Sequence, residues 1–161
     1  MNGDFGESLA NTLIGQWTQN GQLFETVGIG GKWPIIDIYA EILSANNQKM
    51  FCFFQVKSTE LGYTKRGVRK LKVQAPKDKI NKLASFNAPT YLIGVDYNKS
   101  NPPLSTCYIK TIRGTYRNGI SSMETTHQLN AANLLLLKNE VEAFWTTVNP
   151  LNSKSNYQTN F

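Results

Sequence analysis

A chain of 161 residues is long enough for one domain with a real core, and 40% hydrophobic with 17% charged residues is a globular composition, not a disordered one. A formal net charge of +6 makes phosphate polymers or anionic membranes plausible partners, although many small basic proteins bind neither. One histidine, His127, excludes a multi-histidine metal site; two cysteines, Cys52 and Cys107, make no disulfide framework; and no apolar run approaches the roughly 20 residues that cross a bilayer.

The opening MNGDFGESLAN has no basic region followed by an apolar stretch, so it does not read as a signal peptide. A soluble, cytoplasmic protein with no membrane partner is expected. Phe5, Leu9, Leu13, Ile14 and Trp17 recur at the spacing of one helix face. Asp4 suits the N-cap, Glu7 the acid three residues on, and Gly21 the end. LFETV predicts a first strand, GIGGK a turn, WPIIDIYAEIL a second strand and KMFCFFQVKS a third. Residues 60–72, ELGYTKRGVRKLK, form a basic segment, read as a loop leading into a short strand.

PKDKINKLASF predicts a helix with Pro76 near its start, TYLIGVDY a dense apolar strand central in the sheet, and STCYIKTI a further strand. RGTYRNGISS is rich in turn residues and carries no clear element. AANLLLLKNEVEAFWTTV predicts a C-terminal helix. There are no repeats, so the expectation is one domain over 1–148 and a flexible tail over 149–161. Helix, strands, helix, strand, strand, helix is the order of an α/β sandwich with a mixed sheet flanked by helices.

The second and third strands hold the informative pattern. Their even positions, Ile36, Ile38, Ala40, Ile42, Met50, Cys52, Phe54 and Val56, all suit a core, while the odd positions carry Asp37, Glu41, Gln55 and Lys57. A loop centred on Asn46 pairs Ile36 with Val56, Ile38 with Phe54 and Ile42 with Met50, and sets Asp37 opposite Gln55 with Lys57 two residues on. A two-residue turn at Asn46–Asn47 would instead pair Asp37 with Val56 and break the hydrophobic match, so a longer SANNQ loop is expected. Cross-strand partners have Cβ atoms about 5 Å apart. A carboxylate and an amide oxygen at that spacing can share a hard cation such as Mg²⁺ (or Mn²⁺), with the Val56 carbonyl as a third oxygen and Lys57 beside the phosphate or the attacking water. A plain polar network or salt bridge among the same side chains is the competing reading.

Taken together, WPIID at 33–37 and QVK at 55–57, with Gly6–Glu7 in the preceding helix, resemble the PD-(D/E)xK or restriction-endonuclease-like nuclease superfamily. The arrangement is similar to archaeal-type Holliday-junction resolvases and, most of all, to small bacterial domains associated with defence and mobile elements. The resemblance spans about residues 3–112. It implies a restriction-endonuclease-like sandwich and Mg²⁺-dependent endonuclease activity on DNA, with Glu7, Asp37, Gln55 and Lys57 as the catalytic set. Two departures stand out. Pro34 is not adjacent to Asp37, and Gln55 replaces the commoner acid, leaving fewer negative charges for a metal.

Lys65, Arg66, Arg69, Lys70 and Lys72 follow shortly after Lys57 and are candidates for phosphate contacts, with Gly67 allowing a close backbone approach and Tyr63 a base to stack on. The solvated-loop reading of the same cluster stands beside it. RNA in place of DNA, a non-catalytic nucleic-acid-binding or assembly module, and a partner-controlled effector subunit are the alternatives. The C-terminal helix is the surface expected to meet a second copy or a protein partner.

Overall fold

The computed structural model describes residues 2–29, 33–43 and 49–147. The expected SANNQ loop, part of the GIGGK turn, Val148 and the 149–161 tail lie outside the described residues. Helix α1 (Asn2–Ile14) opens the chain, followed by a small ribbon of β1 (Trp17–Thr18) and β2 (Gly21–Gln22). Strands β3 (Phe24–Gly28), β4 (Ile38–Ile42) and β5 (Phe51–Thr59) form an antiparallel run. After β6 (Lys70–Leu71), helix α2 (Lys77–Ala84) crosses to β7 (Thr90–Asp96), which lies parallel to β5. A 3-10 turn at Pro102–Leu104 leads to β8 (Thr106–Thr111), then β9 (Met123–Glu124) and α3 (Ala131–Thr147).

The main sheet is five-stranded and mixed, in the order β3-β4-β5-β7-β8, so the fold is mixed α/β. The predicted central strand, β7, is interior; β5 is the middle strand. Alternation along these strands gives each face its own core. On one face Ile38, Ala40, Phe54, Tyr91, Ile93 and Val95 pack with Ala10 and Ile14 of α1 and with Leu134, Leu137 and Val141 of α3. On the other, Leu92 and Tyr108 pack with Ile80 and Leu83 of α2 and with Leu71 and Met123 of the β6–β9 ribbon. Gly94 is bare because that ribbon sits on it: a Cβ there would overlap Met123 Sδ and reach 3.0 Å from Leu71 Cδ2.

Several boundaries differ from the sequence reading. Asp4 lies inside α1, not at its N-cap, and the helix ends at Ile14, where Gly15 follows. Trp17 therefore leaves the helical face for the β1–β2 ribbon, where it is 79% exposed, and Gly21 (φ 82°) serves that ribbon's turn. The predicted second strand starts late, at Ile38. Pro34 lies in a turn closed by the Ile36 N–H on the Trp33 carbonyl, as expected of a residue that cannot donate to a ladder.

Candidate active site

The register inferred from hydrophobic pairing holds from Ile38 onward, with Ile38 paired to Phe54, Ala40 to Cys52 and Glu41 to Phe51, but the expected Ile36–Val56 pair does not form, since the two side chains lie in different cores. All eight even positions are buried, from Ile36 to Val56. The regular ladder stops at Ile38, however. The Asp37 N–H also donates to the Phe54 carbonyl, at 2.9 Å, so two consecutive residues address one partner. That is the count of a β-bulge, a device that re-aims a side chain. It explains why Ile36 packs in the α2-side core, away from Ile38.

The bulge changes the expected placement of Asp37. Its side chain does not simply face Gln55; Oδ2 accepts the Val56 backbone N–H at 2.6 Å. Backbone N–H groups of a strand lie in the plane of the sheet, so the carboxylate sits where β4 and β5 part, accessible to both layers. Val56 thus contributes its N–H to the site.

Gln55 and Lys57 alternate with Phe54 and Val56, and so lie on the α2 side of β5. Gln55 is 1% exposed, and its Oε1 has no hydrogen-bond partner among the described residues. A buried, unpaired amide oxygen costs about 1–3 kcal/mol, so its retention calls for a reason. Lys57 is half-buried beside Gly94 in the ladder, and its charge acts on Asp37. Lys49–Glu41, Arg113–Glu140 and Lys138–Glu142 form ion pairs, and none of these joins Asp37 to Lys57.

Glu7 comes from the other layer. Gly6 allows this, since a Cβ there would overlap the Ser58 hydroxyl and lie 3.2 Å from Ser58 Cβ. The Glu7 carboxyl is pushed up chiefly by partial burial, then by the charges of Asp37 and Asp4, with Lys57 opposing. Burial likewise raises Asp37, against the Val56 hydrogen bond and the charges of Lys57 and Lys79. Lys79 was not singled out from sequence. It lies near the start of α2, and the crossover from β5 to its parallel neighbour β7 brings that end of the helix to the C-terminal end of β5.

The donor set suits a hard cation: one ionisable carboxylate raised by burial, one orphaned amide oxygen on the neighbouring strand, and a second carboxylate within electrostatic reach. Asp37 and Gln55 would hold Mg²⁺ or Mn²⁺, with Glu7 supporting it. Among the described residues there is no cluster of three His, Cys, Asp or Glu side chains able to hold a metal ion.

Glu41 is occupied elsewhere, accepting from Tyr39 Oη at 2.7 Å and pairing with Lys49. Residues 62–72 form a hairpin, more ordered than the expected loop: Thr64 N–H bonds the Lys70 carbonyl and Lys72 N–H the Gly62 carbonyl. Lys65, Arg66 and Arg69 are exposed, and Lys70 and Lys72 half-buried. Gly67 has φ 71° with open space around it, so it serves the turn and not a close approach. Tyr63 is taken by the Arg69 guanidinium, 3.8 Å from its ring centre, and by a 3.0 Å contact with Tyr108 Oη. Leu71 over Gly94 anchors this hairpin beside Lys57.

Two concavities lie elsewhere, about 400 Å³ around Tyr91, His127 and Glu140 and about 550 Å³ around Phe86, Arg113 and Phe144. Neither includes Asp37, Gln55 or Lys57, and a polymer phosphate needs an open cleft more than an enclosed cavity. Among the described residues no helix is long and apolar enough to cross a membrane. No protein-family model, curated protein or solved structure gives a significant match to this chain.

Proposed function

We propose that this chain is a metal-dependent endonuclease of restriction-endonuclease-like fold that hydrolyses phosphodiester bonds in DNA, in bacterial defence or mobile-element biology. The observation that carries the reading is the orphaned, buried Oε1 of Gln55 on the strand whose Val56 N–H holds the Asp37 carboxylate. Among the described residues Ser58 Oγ and Asn11 Oδ1 are buried and unpaired as well, so it is the chemistry of the Gln55 oxygen as a cation ligand beside the Asp37 strand that supports the reading. The order α1, three antiparallel strands, α2 and a strand parallel to β5 also agrees with the fold that the sequence motifs imply.

A bound divalent cation supplies charge stabilisation at the phosphoryl oxygen and a more acidic water. The chain's own groups do the rest. Asp37 is fixed by the Val56 N–H, Lys57 offsets charge developing on the phosphate, and Lys79 adds a second cation at the same cleft. Glu7, raised by burial and by Asp37, is suited to take a proton from water. The exposed cations of the 62–72 hairpin provide sequence-independent phosphate contacts.

Gln55 in place of a second strand carboxylate leaves less charge for a metal and favours a second reading, a nucleic-acid-binding or assembly module that keeps the fold without cleaving. Cleavage of plasmid and oligonucleotides with Mg²⁺ or Mn²⁺, native against Asp37→Asn and Lys57→Ala, separates the two.

A further inference from the structure

The α2-side face of β4 and β5 continues from Gln55 into aromatic rings. Phe53 precedes Gln55 by two residues on the same face, about 7 Å along the strand. The Trp33 ring lies 6.3 Å from Phe53, Tyr39 5.9 Å and Phe51 5.5 Å, centre to centre. Trp33 is 52% exposed, although a Trp lying on Phe53 has an apolar neighbour to bury against, and Tyr39, Phe51 and Phe53 are only half-buried. At the Gln55 end this shelf meets Lys57 and the Asp37 carboxylate, whose environment also includes Lys79.

The geometry points to an unpaired nucleobase as the occupant of this shelf, and so to a nucleic-acid strand with unstacked bases as the substrate class. The inference rests on the proposed nuclease reading and extends it. A nucleic-acid strand joins anionic phosphates to flat aromatic bases, and this face offers Lys57 at one end and, four strand residues or about 13 Å away, the half-buried Phe53 with the exposed Trp33 ring beside it, a span of more than one nucleotide. Within a duplex the base faces are covered by their neighbours; only a single strand, a flap or a junction presents one to Trp33. Base stacking on an aromatic ring tolerates any sequence, in keeping with the net charge of +6, which favours sequence-independent attraction of phosphates. A protein partner would have to place an acidic group beside its apolar contact to use both the rings and the lysines, whereas every nucleotide carries both features.

The test is binding of labelled oligothymidylate and of an equal-length duplex, without divalent cation, by the full-length Asp37→Asn chain. Tighter binding of the single strand is expected. Adding Trp33→Ala should weaken single-strand binding about tenfold, the worth of one stacked base, and leave duplex binding within about twofold. Trp33→Phe should restore most of the loss. No binding, equal affinity for both forms, or an equal loss on both would overturn the inference. So would self-association that Trp33→Ala abolishes, which assigns the shelf to a second copy. Because no cleavage is read, failure of the nuclease proposal and failure of the shelf are separate results.

Discussion

Asp37 Oδ2 accepts the Val56 backbone N–H at 2.6 Å, tying the first residue of the bulge to the strand that carries Gln55 and Lys57. The bond holds the carboxylate between the two layers of the molecule. It does not neutralise it: burial outweighs both this bond and the nearby lysines, so Asp37 ionises less readily than an ordinary aspartate.

That balance predicts a pH-dependent stability. Asp37 and Glu7 both have folded-state pKa values raised above the unfolded ones. Each therefore contributes stability that is present below the unfolded value and is lost as the pH rises through the folded value. Asp37→Asn keeps an acceptor for the Val56 N–H but cannot ionise. Without divalent cation it should raise Tm by about 3 °C at pH 7, with the gain fading as the pH falls through the raised folded value and gone below the ordinary aspartate value of about 4. Thermal unfolding across that range checks the sign.

Gln55 predicts a trade between stability and cation binding. Gln55→Met fills the same space without the unpaired oxygen and should stabilise the cation-free chain by about 1 kcal/mol. It should also remove the rise in Tm expected of the native chain on adding Mg²⁺. Gln55→Glu should do the reverse, lowering stability without cation because a further carboxylate is buried near Asp37, and tightening Mg²⁺ binding about tenfold. Denaturation of all three proteins with and without Mg²⁺ measures both effects.

Much of this site was legible in the sequence because strand alternation is strict. The run of apolar residues at even positions from Ile38 to Val56 fixed the β4–β5 register and put Gln55 and Lys57 on one face. The parity argument ended at Asp37, since a bulge inserts a residue that no hydrophobic pattern announces; Pro34 was the one local sign that the strand could not extend upstream. Trp17 misled for a similar reason. It keeps helical spacing with Leu13, but Gly15 ends the helix before it, and the chain turns into a ribbon. The contribution of Lys79 depends on a crossover between parallel strands, which spacing within one segment does not encode.

The basic hairpin should act on binding and not on chemistry. Replacing Lys65, Arg66, Arg69 and Lys70 with Ala should weaken DNA binding and reduce the slope of log K against log salt by about 3–4. These side chains are mostly exposed, so the fold should survive, although the loss of Arg69 frees the ring of Tyr63. A titration series at several salt concentrations reads the slope, and an unchanged slope would make the hairpin a solvated surface element.

The central claim is that Asp37, Gln55 and Lys57 cleave phosphodiester bonds with a divalent cation. The most direct measurement is the rate of plasmid and single-strand cleavage in Mg²⁺ or Mn²⁺ by the native chain, Asp37→Asn and Lys57→Ala. The account predicts cation-dependent cleavage by the native chain and a loss of at least about a hundredfold in each variant, the usual scale for removing one charge-stabilising group. DNA binding should be kept by Asp37→Asn and slightly weakened by Lys57→Ala. A folded native chain that cuts no substrate with either cation, or cleavage that survives Asp37→Asn unchanged, would contradict it.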